Sequence, residues 1–262
     1  MRTSGPGLPF ILSVPHGGRR CPPELLDRVV LSDRDLFADG DAFTDEIYDL
    51  TGTVVACQRA SIARAFVDLN RAPGDLPPAN TDGAVKSATC HGVTIYGPGL
   101  QPDTVLVQRL IDRYHRPYHL QLDTLAAGAD VLAGLDCHSM EPIAPPVAPD
   151  AGRERPTFCL SNGNHATCSS GFLNAFALAL AGAFDIPQSD VGLNDPFTGG
   201  YVTRFHGAGP TPWVQVEMNR RLYLAEPWFD PTDLTVDPAR ITALRERFTA
   251  ALSALVGSGV EP

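Results

Sequence analysis

Lysine is almost missing from this chain of 262 residues: Lys86 stands alone among twenty basic residues, and the other nineteen are arginine. Genome composition alone produces such a bias, so it carries no functional weight by itself. The six cysteines (Cys21, Cys57, Cys90, Cys137, Cys159 and Cys168) form no CxxC pair, which removes zinc-knuckle and thioredoxin-type motifs. In a reducing compartment they are expected to serve as small buried hydrophobes. No apolar run approaches the ~20 residues that cross a bilayer. The first residues also lack the basic-then-apolar pattern of a signal peptide, so a cytoplasmic protein without membrane contact is expected.

Positive charge is scarce as well. Twenty Lys and Arg face thirty Asp and Glu, a formal net charge of −10. A surface of that sign repels nucleic acid and anionic lipid, so neither is an expected partner. A small anionic ligand stays open, because a few arginines can still build a local positive pocket. Hydrophobic residues at 44% and charged residues at 19% are ordinary for a globular protein. With no internal repeat and no compositional boundary, one domain over residues 1–262 is predicted. The oligomeric state is not legible.

Apolar runs alternate with helical periodicity along the chain. Residues 9–15 read as a strand ending at His16-Gly17-Gly18, where two glycines permit a sharp turn and close backbone approach. Asp41 reads as the N-cap of a helix starting at Ala42, with Phe43, Ile47 and Leu50 on one face. Strands are predicted over 53–57 and 65–69, the second ending at Asn70-Arg71. Residues 72–103, rich in Pro, Gly, Asp and Asn, read as a long irregular excursion of the kind that often forms a lid or binding loop. A helix follows over 104–126, interrupted at Pro117, and then an apolar strand from 129 to His138. A Pro-rich loop spans 142–156, with a strand over 157–161 and a helix over 169–183 beyond it. A turn region at 194–200 leads into a short extended piece, 201–204. Residues 213–218 form the last predicted strand. An amphipathic helix over 238–256 closes the chain, with Ile241, Leu244, Phe248, Leu252 and Leu255 on one stripe. This alternation predicts an α/β fold with a mixed or largely parallel sheet and helices on both faces.

His138 lies in Leu135-Asp136-Cys137-His138-Ser139, at the end of a buried strand, where neighbouring strand ends converge in such sheets. His16 ends another strand. A lone histidine is more often a hydrogen-bonded structural residue than a ligand, but two at strand ends point to a metal. A catalytic zinc takes three protein ligands and keeps one position open, commonly with two His and one carboxylate. Glu24, Asp41 and Asp45 are the carboxylates near His16, and helix capping competes for Asp41. His115 and His119 have i, i+4 spacing but lack the Glu that a zincin uses as base, and Pro117 stands between them. They are not the expected metal pair. Glu217 interrupts an otherwise apolar strand. It faces solvent if that strand is an edge; if it faces inward, burial raises its pKa towards a base suited to neutral pH. Arg64, Arg71 and Arg204 sit near strand ends. Surface pairing explains any one of them, whereas three together point to a carboxylate pocket.

In their order these motifs resemble the N-formylglutamate amidohydrolase family, a relative of the zinc carboxypeptidases and aspartoacylase-like deacylases. Pro15-His16-Gly17-Gly18 matches its Pro-His-small-Gly turn, and Asp41 before Ala42-Phe43 matches its Asp ahead of an aromatic-rich helix. Arg64-Ala65-Phe66-Val67-Asp68-Leu69-Asn70-Arg71 matches Arg-x-x-x-Asp-Leu-Asn-Arg. Arg116-Pro117-Tyr118-His119, Asp136-Cys137-His138-Ser139, Gly199-Gly200-Tyr201-Val202-Thr203-Arg204 and Val214-Gln215-Val216-Glu217 follow in the family's order. The likeness runs from residue 10 to 223.

The resemblance implies a zinc-carboxypeptidase-like three-layer α/β/α sandwich and one Zn2+ per chain held by His16, Asp41 and His138. It implies an amidohydrolase in which Glu217, as base, assists zinc-activated water in attacking the amide of an N-acyl amino acid such as N-formylglutamate. Arg64 would assist the polarised carbonyl. Asn70, Arg71 and Arg204 would hold substrate carboxylate, with His119 in the same substrate-binding set. Asp136, on the same strand face as His138, is a candidate for orienting that ligand from behind. Arg19 stands where the carboxypeptidases' His-x-x-Glu places Glu. Met218-Asn219-Arg220-Arg221 and Asn162-Gly163-Asn164-His165 vary on the family pattern and are read as tuning the pocket. Two alternatives stay open: a zinc carboxypeptidase acting on small peptides, and a non-catalytic carboxylate-binding protein of the same fold.

Overall fold

The computed structural model describes residues 7–262 apart from Ala129 and Val147. Residues 1–6, read above for a signal pattern, lie outside the described residues. So do Ala129, the first residue of the predicted central strand, and Val147 in the Pro-rich loop.

Successive side chains on a strand point to opposite faces, and that period divides this sheet into a greasy side and a working side. The strands are β1 (Leu8–Val14), β2 (Val54–Arg59), β3 (Ala133–Met140), β4 (Phe158–Ser161), β5 (Val191–Leu193) and β6 (Trp213–Asn219). They lie in the order β2-β1-β3-β6-β4-β5. β1 runs parallel to β2 and β3, β3 runs parallel to β6, and β4 pairs with β6 antiparallel and with β5 parallel. The predicted α/β class with a mixed, largely parallel sheet is therefore what the chain adopts. Phe10, Leu12 and Val14 of β1, Leu135 and Cys137 of β3, and Val214, Val216 and Met218 of β6 share one apolar core. The alternate residues Asp136, His138, Gln215 and Glu217 consequently face the other side.

The helices are α1 (Asp33–Asp39), α2 (Thr44–Ile47), α3 (Thr104–Leu110), α4 (Arg116–Ala126), α5 (Ser170–Phe184), α6 (Tyr201–His206) and α7 (Pro238–Gly257). α2, α5 and α7 close the apolar core. On the working side α3, α4 and α6 pack with Ile11, Phe66, Ile95, Tyr96 and Trp213 in a second cluster. Ser32, Asp103, Ser169 and Asp237 cap α1, α3, α5 and α7 by accepting first-turn N–H groups. A short hairpin of β7 (Phe229–Asp230) and β8 (Thr235–Val236) precedes α7. No helix among the described residues is long and apolar enough to cross a membrane.

Four local expectations are corrected. Residues 65–69 are not a strand: Phe66 N–H bonds Ala63 O and Asp68 N–H bonds Ala84 O. That run is apolar because it fills the second core. Residues 201–204 are helical rather than extended, starting α6 directly after Gly199, whose φ is 107°, and Gly200. Asp41 does not cap a helix at Ala42. α2 begins only at Thr44, behind Phe43 at φ 62°, and the Asp41 carboxylate is engaged elsewhere. Pro117 does not break the long helix either. A π-helical turn, Ile111–His115, ends just before it and leaves Pro117 in the first turn of α4. No intrahelical N–H is needed at that position. The excursion over 72–103 holds only isolated bridges, yet Ala84, Val85, Ile95 and Tyr96 in it are buried.

Gly134 of β3 faces Trp213 of β6, and a Cβ there would meet the indole at 2.3 Å. Gly134→Ala is expected to destabilise the protein by about 1–3 kcal/mol, read as a Tm lower by several degrees. An unchanged melting curve would contradict this packing.

Candidate active site

Parallel neighbours bring their carboxyl ends to one edge of a sheet, and ligands collect there. β1, β3 and β6 are such neighbours. His16 follows β1 by two residues, and His138 of β3 stands in register with Glu217 of β6. Asp41 is docked to the same edge because its N–H bonds His16 O at 3.1 Å. The two glycines after His16 serve as read from the sequence: a Cβ at Gly18 would meet Ile62 O at 2.4 Å, and one at Gly17 would meet Asp45 Cβ at 2.8 Å.

Three donors converge. His138 Nδ1 is 3.0 Å from Asp41 Oδ2 and 3.1 Å from His16 Nδ1, and His16 Nδ1 is 3.4 Å from Asp41 Oδ2. All three residues are buried. Ligand bonds of about 2.0–2.1 Å at tetrahedral angles give edges of about 3.3–3.4 Å, so one small cation fits among these atoms. The far ring nitrogens meet carboxylates: His16 Nε2 lies 2.7 Å from Asp68 Oδ1, and His138 Nε2 lies 3.0 Å from Asp136 Oδ1. The Asp68 carboxylate keeps the His16 proton on Nε2 and aims that ring's Nδ1 lone pair inward, as carboxylates behind metal-bound imidazoles do; His138 Nε2 has the Asn70 amide nitrogen at 3.0 Å beside it as well. Lone pairs facing one another in this way need a shared cation. A proton fills that role at His138. Burial opposes it, but Asp136, Asp41 and Glu217 hold His138 well above the ordinary histidine range. Asp41 is held well below the carboxylate range against its own burial, by His138 and His16.

Glu217 is buried beside this group, and desolvation lifts its pKa to about 7 although His138 pulls the other way. Gln215 Nε2 donates to its Oε1 at 2.8 Å. Both line a cavity of about 490 Å3 shared with His16, Asp41, His138, Arg64, Asn70, Arg71, Arg155 and Arg220. Arg64 Nη2 donates to Asp68 Oδ2 at 2.9 Å. Arg71 pairs with Asp82 at 2.8 Å and keeps 39% of its side chain exposed.

The other predicted residues divide. Asp41 rather than Asp45 meets the histidines. Asp45 instead pairs with Arg19, and Glu24 binds Arg113 and Tyr114. Asn70 lines the cavity, but its Oδ1 accepts from Val202 N–H at 2.7 Å and its amide nitrogen stands 3.0 Å from His138 Nε2. Arg204 and His119 are not among the residues that line the cavity. α6 turns Arg204 outward, where it donates to Thr198 O and Gly199 O. α4 buries His119 behind Leu69.

Two residues have roles that the sequence reading did not assign to them individually. Arg220, three residues after Glu217, donates to Asp41 Oδ1, Gly40 O, Ser139 Oγ and Glu141 Oε1, and so fixes the carboxylate that faces the histidines. Lys86 is wholly buried between Asp82 at 2.6 Å, Asp39 at 3.3 Å and Asp68 at 3.8 Å. Its being the sole lysine was the available signal.

A family model described as N-formylglutamate amidohydrolase matches residues 8–224. The N-formylglutamate deformylase of Pseudomonas putida is 29% identical over 231 residues, covering 84% of this chain and 83% of that protein. The crystal structure of N-formylglutamate amidohydrolase from Ralstonia eutropha JMP134 superposes with a TM-score of 0.77 at 24% identity, over 98% of this chain and 96% of that one. A gene product of Agrobacterium tumefaciens superposes with a TM-score of 0.69 at 17% identity, over 96% and 90%. Both structural likenesses concern the fold.

Removing Lys86 leaves three acids without their buried cation. Lys86→Met is expected to destabilise the protein by about 3–5 kcal/mol in denaturant unfolding. A loss below about 1 kcal/mol, the worth of a surface pair, would contradict the buried lattice.

Proposed function

The chain belongs to the N-formylglutamate amidohydrolase family, and from that premise we propose that residues 1–262 act as one zinc-hydrolase domain. It cleaves the amide of a small anionic N-acyl amino acid such as N-formylglutamate. The observation that carries this reading is the convergence of His16 Nδ1, Asp41 Oδ2 and His138 Nδ1 in a cavity that also holds Glu217. Two imidazoles and one carboxylate are a zinc donor set, and three protein donors leave a position open. Held there, zinc supplies a Lewis acid that acidifies water and polarises a carbonyl.

The chain's own groups do the rest. Glu217, its carboxyl lifted to about 7 by burial, takes a proton from the attacking water and returns it to the leaving amine. Arg64 faces the oxyanion that develops on the carbonyl oxygen, a contribution of roughly 3–4 kcal/mol per donor in studied sites. Arg71 offers its half-exposed guanidinium to substrate carboxylate. This sets the carbonyl in register with the water. Asn70 serves the same end by bounding His138, and Arg204 by holding the 198–199 loop that lines the cavity.

Assaying N-formyl-L-glutamate, N-acetyl-L-glutamate and a glutamyl dipeptide side by side with added zinc tests the reading. N-formylglutamate should be hydrolysed best. Glu217→Gln should keep about one zinc per chain while losing about 10²–10⁴-fold in kcat. Glu217 works as a base only when ionised, so wild-type kcat/KM should fall as pH drops through its pKa, about 7 without a cation and lower beside one. Preference for the dipeptide would make the protein a peptidase. Zinc binding without hydrolysis would make it a carboxylate binder.

A further inference from the structure

His115 and His119 contribute nothing to the donor set, yet both imidazoles are buried and bonded to backbone. His115 Nε2 donates to Arg71 O at 2.8 Å, and His119 Nε2 donates to Leu69 O at 2.9 Å. The residue between those carbonyls is Asn70. Its Oδ1 receives Val202 N–H, its carbonyl receives Tyr201 N–H at 3.3 Å, and its amide nitrogen bounds the His138 ring at 3.0 Å. A Cβ at Gly200 would meet that side-chain amide at 2.3 Å, so α6 packs directly against it. The π-helical turn that ends at His115 brings the two histidines to this one segment. Such turns frequently occur at functional sites.

The proton order follows from donor chemistry. A carbonyl only accepts, so His119 Nε2 carries hydrogen. Burial and the neighbouring histidines push the His119 pKa down to about 3, so the ring is neutral and its Nδ1 accepts. The group facing that Nδ1 at 2.9 Å is His206 Nε2, which therefore donates. His206 Nδ1 in turn lies 2.9 Å from Asp123 Oδ1, where burial of the ring opposes a proton and the carboxylate draws one towards it. Asp123 is 55% exposed, so this order is anchored at the surface of α4 and ends on the carbonyl preceding Asn70.

We propose that His115 and His119 clamp the backbone of residues 69–71, with His206 and Asp123 bracing the His119 ring from behind. The clamp holds Asn70 and, through it, the orientation of the His138 ring. All four are positioning residues, and none lines the cavity. The proposal rests on the zinc reading only for its metal measurement.

Two readouts test it. The first is amide hydrogen exchange at Val202 without added metal. The second is the visible spectrum of protein loaded with cobalt(II), whose bands report ligand geometry. His119→Phe keeps an aromatic ring but removes the donor, and should speed exchange at Val202 about tenfold by local opening. It should also shift the cobalt bands and weaken cobalt binding by about tenfold. His119→Gln, whose amide can donate to Leu69 O, should return both readouts towards wild type. Asp123→Leu alters only a half-exposed side chain and should move both in the same direction by less; it carries the test if His119→Phe does not fold. Wild-type exchange at Val202 in both His119→Phe and Asp123→Leu would overturn the clamp. So would failure of Gln to rescue what Phe disturbs. If cobalt binds neither wild type nor variant, the zinc reading fails and the exchange measurement alone decides the clamp.

Discussion

Asp68 is a carboxylate with no exposed surface, and the site depends on its staying charged. Burial pushes its pKa up, but His16, Arg64 and Lys86 hold it well below the carboxylate range. A buried charge persists only when it is paired and hydrogen-bonded, and Asp68 draws partners both from its own segment, Arg64 and Asn70, and from His16 and Lys86 elsewhere in the chain. One oxygen meets His16 Nε2 and accepts from Asn70 N–H; the other takes Arg64 and, further off, Lys86. His16, Arg64 and the excursion over 72–103 are thus bound into one electrostatic unit. Lys86 extends it through Asp82 to Arg71 at the cavity wall. That long irregular segment supplies Lys86 to the unit and packs Ala84, Val85, Ile95 and Tyr96 into the second core.

The second constraint is register. β3 and β6 are parallel, with His138 opposite Glu217 and Asp136 opposite Gln215. Because side chains alternate, a slip by one residue would turn His138 and Glu217 into the apolar core together. The hydrophobic residues between them, Cys137 and Val216, hold that register by being fully buried on the far face. The same packing that stabilises the sheet therefore sets Glu217 beside His138.

How much of this arrangement was legible in the sequence has a physical cause. His16, His138 and Glu217 stood out because each breaks or ends an apolar strand, and strand alternation is a local signal. The alternation of strands and helices gave the layered fold for the same reason. Asp41 was ambiguous because an Asp before a helix is ordinarily a cap, and only the docking of its N–H on His16 O separates the roles. The run 65–69 misled because burial, not extension, makes it apolar. Lys86, Arg220 and the histidine clamp were hidden because their meaning lies in contacts across 47, 179 and 50 residues of chain. His119 was assigned to substrate through a motif, but its ring bonds backbone behind the cavity wall.

The central claim is that one zinc ion sits among His16 Nδ1, Asp41 Oδ2 and His138 Nδ1. Anomalous diffraction from zinc-soaked crystals at the zinc absorption edge tests it most directly. The account predicts a single strong peak per chain, about 2.0–2.2 Å from each of those three atoms. A map without a peak there, or with the ion on other nitrogens such as those of His115 and His119, would contradict it.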